Sequence, residues 1–308
     1  MWQPSDSFSI PFDDWVQEAI RGWLVPNFRE AFRAMQWPVD QTLNALDAAL
    51  NATPMLAFTA VLTLIAWGTA GRGVAIFTVI ALALLDMFGI WGETMTTLAM
   101  ILTALVFCTI VGVPLGILAA RSDRFAGGLR PVLDVMQTIP PFVYLVPIVM
   151  LFGVGMTPGI IATIIFALPP IVRLTNLGLR NVQADLVEAA YAFGATRRQV
   201  LWDIQVPLAM RTIMAGLNQT LMLALSMAVI AALIGAGGLG LTVYTGLGRL
   251  DVGTAAEGGI GIVFLAIILD RITQALGDQG RVSKSPSLLD TLKGFIRPSG
   301  TAAQRGAA

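Results

Sequence analysis

The chain has 308 residues, 19 Lys+Arg against 19 Asp+Glu, and is 56% apolar but only 12% charged. A soluble domain carries roughly 25% charged residues, so composition argues against a soluble enzyme, and the missing basic excess argues against a nucleic-acid binder. With no histidine and one cysteine, Cys108, His-dependent catalysis, an intrachain disulfide and a conventional zinc site fall away, and no metal ligands are assigned; the composition is that of a polytopic membrane protein.

The first 50 residues lack a basic start followed by an apolar core, which excludes a signal peptide. They are acidic and hold Trp2, Trp15, Trp23 and Trp37, four of the seven tryptophans. Trp15, Ala19, Trp23 and then Phe28, Phe32 and Met35 recur at helical spacing. Tryptophan favours the membrane–water interface, so residues 1–52 read as an extracytoplasmic amphipathic extension lying on the bilayer; a loosely structured tail is the alternative.

A membrane helix needs about 20 mostly apolar residues. Charge-free stretches predict spans near 54–70, 73–91 (interrupted only by Asp86) and 94–120. Between Arg130 and Arg173 the one charge is Asp134. Pro140-Pro141 and the turn-like Gly153–Pro158 divide that stretch, giving spans near 131–153 and 158–173. Uncharged residues 212–248 predict a sixth span, and about 258–276 a seventh. Residues 53–92 then form two accessory membrane helices, 93–277 a core containing a cytoplasmic loop over 174–207, and 278–308 a cytoplasmic tail. Threading these spans puts 15 of the 19 basic residues on one side, among them Arg72, Arg121, Arg180, Arg211 and Arg271. Arg21, Arg29, Arg33 and Arg249 fall on the other. The positive-inside rule makes the first side cytoplasmic, with the N-terminus outside and the C-terminus inside.

The long cytoplasmic loop carries local signals. Asp185 and Glu188 have capping-box spacing, which predicts a helix over about 186–193 ended by Gly194 in the left-handed conformation. Thr196 and Gln199 form a second such box, which predicts a helix over about 197–206 stopping before Pro207. Val200, Leu201 and Ile204 give that helix an apolar stripe. Two short helices on a glycine hinge suit docking on a partner protein; an interfacial pair lying on lipid is equally compatible with the physics.

Glu188-Ala189-Ala190, three residues, Gly194, nine residues, then Ile204-Gln205-Val206-Pro207 resembles the EAA motif of ABC-importer permeases, with Val206 in place of the usual Leu. The resemblance extends over roughly 93–277. Asp134–Pro147, Asn218–Met227, Gly248–Gly253 and Ala266–Ala275 look like the permease subunit of glycine betaine/proline-betaine (quaternary-amine) importers. It implies an all-α, type I ABC-importer permease fold of about seven transmembrane helices in a bacterial inner membrane. It implies a homodimer with two cytoplasmic ATPase subunits, which hold ATP-Mg, and an extracytoplasmic binding protein. The tail over 278–308 is too short for a fused binding protein, so a separate one is expected. Glu188, Ala189, Ala190, Gly194, Ile204 and Pro207 would couple to the ATPase, the two alanines being small enough for close approach. Transport would follow alternating access for an osmoprotectant such as glycine betaine, with choline or carnitine as rival substrates and a non-ABC secondary transporter as a remote alternative. No cofactor is expected in this chain.

Other features have plainer readings. Gly235-Ala-Gly237-Gly-Leu-Gly240 matches a dinucleotide fingerprint but lacks the strand and acidic partner that motif needs; a helix end or a close helix approach explains it. Neither Lys284 nor Lys293 follows a glycine, so no P-loop is present. Gln137, Thr138, Asn218, Gln219, Thr220 and Ser226 are polar residues within spans, and Tyr144, Phe142 and Phe152 are aromatics suited to cation–π contact. They are candidates to line a pathway, with helix–helix hydrogen bonding and core packing as the alternatives. Asp134 is expected at a helix start after Pro131. Asp86 and Asp270, near span ends, need no special role, and Cys108 acts as a small apolar residue.

Overall fold

The computed structural model describes residues 14, 15, 18, 22, 23 and 25–278. Trp2, Ala19 and the expected tail with Lys284, Lys293 and Arg297 lie outside the described residues. The helices in chain order are α1 (Val25–Ala52), α2 (Met55–Ala70), α3 (Arg72–Met87), α4 (Trp91–Arg121), α5 (Asp123–Thr138) and α6 (Pro141–Phe152). They continue with α7 (Met156–Arg180), α8 (Ala184–Ala192), α9 (Arg197–Ile234), α10 (Leu239–Arg249) and α11 (Val252–Asp278). Helices α4, α7, α9 and α11 are each long and apolar enough to cross a membrane, and the bent pairs α1–α2 and α5–α6 raise the number to six if each pair is one span.

The expected first two spans fall on α2 and α3. Each has 16 residues, about 24 Å of helix at 1.5 Å per residue, against a hydrocarbon core of about 30 Å. Gly71, at φ 93°, closes them into a hairpin. The hairpin leans on α11, where Phe77 meets Phe264 edge-on at 5.8 Å between centroids.

The expected span over 131–153 is broken. Pro140 disfavours helical backbone at the residue before it; Ile139 accordingly takes φ −69°, ψ 126°. Pro141 then starts α6 as its first residue, where a missing N–H costs nothing, and the two helices meet at 99°. Helix α5 also starts earlier than expected. The Ser122 hydroxyl accepts from Phe125 N–H, which places Pro131 and Asp134 well inside the helix rather than at its start. Asp134 instead pairs with Arg173 at 2.6 Å, and α7 continues past the expected end at 173 to Arg180. The expected sixth span over 212–248 divides at Gly235 and Gly238, both at positive φ, into the end of α9 and all of α10.

Lipid is as apolar as leucine, so helix association in a bilayer depends on close packing at small residues. Helices α4 and α7 run parallel through such a seam. A Cβ on Gly112 would sit 2.5 Å from the Ile171 side chain, and one on Gly116 2.5 Å from the Thr175 Cβ. Cys108, buried beside them, donates weakly to the Ile164 carbonyl at 3.7 Å. Helix α9 runs antiparallel to α7: Gly178 faces Ala209 and Thr212, and Gly216 faces Ile171 and Leu174. The last turn of α4, the last turn of α7, the start of α9 and the end of α11 therefore share one end of the bundle. That end carries Arg121, Arg180, Arg211 and Arg271.

Helix α1 docks on the opposite end. Its stripe Phe32, Gln36, Val39 and Leu43 faces the body. The Gln36 amide donates to the Phe152 carbonyl at 2.8 Å, Thr157 donates to Asp40 at 2.8 Å, and Phe32 meets the Phe152 ring at 5.4 Å. Met35 and Trp37 face outward. Of the amphipathic pattern expected to lie on lipid, Phe32 rests on protein, whereas Trp15, Trp23, Phe28 and Met35 are exposed.

Candidate functional site

The loop between α7 and α9 is the most exposed structured element among the described residues. Helix α8 buries none of its nine residues, so its helicity rests on local signals. Its N-cap is Gln183, with no side-chain cap; Asp185 therefore lies in the first turn, where it complements the helix dipole, rather than capping it as expected. The C-terminus follows the sequence closely. Gly194 takes φ 83°, its N–H bonds the Tyr191 carbonyl at 2.9 Å, and Ala195 N–H bonds the Ala190 carbonyl at 3.0 Å. These are the two bonds of a Schellman cap. The spacing from Ala190 to Gly194 is one helical turn plus its cap. The second box is also complete: Thr196 accepts from Gln199 N–H, and the Gln199 side chain accepts from Thr196 N–H at 2.9 Å.

The second loop helix does not stop at Pro207. It passes through a π turn over Val200–Gln205 and continues as one helix to Ile234. Proline lacks the donor for the preceding turn and its ring crowds the carbonyl four residues back, here Asp203; the wider π turn upstream accommodates both. Val200 and Leu201 are buried, Leu201 against Leu179, Ala209 and Ile213, so the loop is fixed to the body by its expected stripe. Ile204 sits half-buried in the π turn and Pro207 is exposed at its end.

Glu188, Ala189 and Gly194 are exposed and Ala190 is half-buried on this knob. Around them stand Leu186, Tyr191, Trp202 and Phe193, the last 92% exposed. Scattered exposed apolar residues are ordinary, but a contiguous set marks an interaction surface. Sequence reasoning missed Phe193 and Trp202; the available signal was the aromatic directly before the capping glycine.

The polar candidates do not converge. The Tyr144 hydroxyl lies 2.6 Å from the Met136 carbonyl and 3.2 Å from that of Val135, where it serves the end of α5 at the bend. Thr138 also donates to Val135, and Gln137 is half-buried beside it. Phe142 is exposed and Phe152 packs on Phe32. Thr220 is buried, its hydroxyl without a hydrogen-bond partner among the described residues. Ser226 faces outward and donates to Met222 one turn back. Asn218 and Gln219 border a cavity of about 280 Å³ with Arg211 and Gln274, and Asn218 donates to Asp270 at 2.8 Å. Asp270, assigned no role from sequence, is thus half of a link between helices.

The glycine fingerprint is a close approach. A Cβ on Gly238 would collide with Thr97 and one on Gly240 with the Ala228 carbonyl. Leu239 N–H bonds the Thr97 hydroxyl at 2.8 Å. This turn is filled by α4 and α9.

Residues 112–279 match the family model described as binding-protein-dependent transport system inner membrane component. The chain is 56% identical over 272 residues to the glycine betaine/proline betaine transport system permease protein ProW of Escherichia coli (strain K12), covering 88% of this chain and 77% of that protein. It is 43% identical over 265 residues to the glycine betaine transport system permease protein OpuAB of Bacillus subtilis (strain 168), covering 86% and 94%. It is 43% identical over 280 residues to the glycine betaine/carnitine transport permease protein GbuB of Listeria monocytogenes serotype 1/2a (strain 10403S), covering 89% and 98%. Among solved structures, the inward-facing MetNI methionine ABC transporter aligns with TM-score 0.52 at 23% identity, covering 63% of this chain and 94% of that one.

Proposed function

The chain belongs to the family of binding-protein-dependent transport system inner membrane components, and from that premise we propose that it is the membrane-spanning permease of an ATP-driven importer for glycine betaine and proline betaine. The observation that carries the substrate class is the 56% identity to ProW over 272 residues. Carnitine is the second reading, favoured by the 43% identity to GbuB. ATP hydrolysis resides in a separate subunit that holds ATP-Mg, and this chain supplies the pathway.

The knob of α8 and the start of α9 docks on that ATPase. Its support is the unburied α8, the complete cap at Gly194 and the surrounding apolar side chains. Glu188, Ala189, Ala190, Gly194, Ile204 and Pro207 form or position the contact. Basic residues gathered at one end of the bundle support a cytoplasmic location for the knob, with seven spans, the N-terminus outside and the C-terminus inside an inner membrane. The extension over 1–52, accessory helices over 53–92, core over 93–277 and tail over 278–308 follow from that threading. Helix α9 presents Met222, Ser226 and Leu233 on an exposed face. A second copy of the chain covers this face, and Gln219 and Ser226 line the route between the copies. A separate extracytoplasmic binding protein delivers the substrate, a zwitterion whose quaternary ammonium group has no N–H and is recognised by aromatic faces.

The test is ATPase stimulation in vesicles holding the complete transporter and its binding protein. Glycine betaine, proline betaine, carnitine and choline are added one at a time. Stimulation by either betaine at the lowest concentrations supports the assignment, stimulation only by carnitine moves it to the second reading, and no response to any quaternary amine overturns it.

A further inference from the structure

Helix α9 is continuous from the loop at Arg197 to Ile234. A displacement of the loop therefore travels along it as along a lever. Helix α11 packs on α9, α10, the α2–α3 hairpin and, less closely, α4. Of these neighbours only α9 is continuous with the loop, so α9 is the direct route by which α11 follows it. Two side-chain hydrogen bonds join them directly among the described residues: Asn218 Nδ2 donates to Asp270 Oδ1 at 2.8 Å, and Thr273 Oγ1 donates to Asn218 Oδ1 at 2.6 Å. Gln274 Nε2 donates to the same Asp270 oxygen at 2.6 Å. Just beyond, a Cβ on Gly277 would lie 3.0 Å from the Met214 Cβ.

A carboxylate within a membrane helix is costly and faces the bundle interior or a partner. Asp270 is half-buried and meets two amide donors. Asn218 uses both ends of its amide across the same helix pair. It lies 21 residues from the start of α9, about 30 Å along the lever. Asn218 and Asp270 are thus matched to each other rather than turned toward a ligand.

We propose that Asn218 and Asp270 form a transmission pin that makes α11, and with it the α2–α3 hairpin, move as one body with α9 when the loop moves. The pin rests on the reading of the loop as the ATPase-docking element. Its residues are positioning residues: they hold the two helices in register and touch neither substrate nor nucleotide.

The test measures substrate transported per ATP hydrolysed by the complete transporter in vesicles. In Asn218→Asp two carboxylates face each other, and the ratio is expected to fall at least fivefold. Adding Asp270→Asn exchanges the partners and restores a donor–acceptor pair, and the ratio is expected to return to within twofold of the parent. A double variant no better than Asn218→Asp overturns the pin. A second experiment separates transmission from mere stability. Met214→Cys with Gly277→Cys places two Cβ atoms 3.0 Å apart, about 0.5 Å inside the disulfide range, so a small parting of the helices lets the bond form. If α9 and α11 move together, the oxidised pair transports like the parent and raises the ratio of Asn218→Ala. If the oxidised pair stops transport in the parent background, the helices must slide past each other and the pin is wrong. Failure of the loop reading looks different: Glu188 and Gly194 variants then transport normally, whereas a wrong pin leaves those variants uncoupled and the Asn218 variants normal.

Discussion

Gly194→Ala tests the docking loop through one backbone angle. Gly194 holds φ 83°, and a Cβ there would meet nothing within 4 Å. The substitution therefore adds no collision and its cost is conformational. A left-handed non-glycine residue costs about 1–2 kcal/mol, a factor of about 5–30 in the population of the native loop. What is lost is the cap, with its bonds from Gly194 to Tyr191 and from Ala195 to Ala190. Those bonds hold the end of α8, and α8 buries no residue that could hold it instead. Asparagine visits the left-handed region with less strain, so the order is Gly above Asn above Ala above Val. The assays are amide exchange over residues 190–196 and coupled transport in vesicles containing all subunits. Exchange is expected to quicken in that order, with transport per ATP falling in parallel and membrane insertion unchanged. Equal exchange for Gly194→Ala and the parent, or Asn below Val, refutes the argument. Faster exchange with undiminished transport refutes the coupling role alone.

Gly116→Ala drives a methyl to 2.5 Å from the Thr175 Cβ and 2.9 Å from the Val172 carbonyl, which cannot swing away; overpacking of this kind costs about 1–3 kcal/mol, and a lower melting midpoint in detergent is expected. Gly128→Ala, with open space around it on α5, is the control and is expected to be neutral or stabilising by up to about 1 kcal/mol through helix propensity; a midpoint for Gly116→Ala equal to that of the control contradicts the seam. Tyr144→Phe leaves the Met136 and Val135 carbonyls without their hydroxyl at the bend and is expected to lower the midpoint by an amount equivalent to about 0.5–1.5 kcal/mol. Asp251 caps the start of α11: the Thr254 hydroxyl and then the Thr254 N–H hold its carboxyl below the ordinary carboxylate range. Because the folded state prefers the ionised form, the cap is at full strength above the unfolded value and weakens as pH falls through the folded one. The protection of the Thr254 amide, its exchange rate taken relative to the intrinsic rate at the same pH, is therefore expected to fall on acidification in the parent and to be independent of pH in Asp251→Asn; the same fall in the variant defeats this reading.

Short-range physics was legible along the chain. Stretches without charge located α4, α7, α9 and α11, because an ionised group is too costly inside lipid to be scattered at random. The caps at Gly194 and Thr196 were readable because a capping residue bonds to donors and acceptors within four positions of itself. The break at Pro140 was signalled too, although only the backbone shows that it turns the chain through 99°. Asp185 and Pro207 were misjudged for a related reason: a capping-box spacing does not say which residue starts the helix, here Gln183 two positions before Asp185, and a proline ends a helix only where the preceding turn cannot widen, as Val200–Gln205 does.

Amino-acid order alone therefore determined a multi-helix membrane protein, its charge asymmetry and the two-helix loop with its glycine cap. Tertiary structure alone decided which faces meet. In water a polar face and an apolar face announce which side is buried. In lipid both the protein interior and the solvent are apolar, so a helix such as α4 carries no stripe to reveal that Gly112 and Gly116 lie against α7. The same holds for contacts far apart in sequence. Nothing local to Gln36 or Asp40 points to Phe152 and Thr157, and nothing local to Asp270 points to Asn218. Those pairings exist because the folded bundle brings together donors and acceptors that lipid could not satisfy.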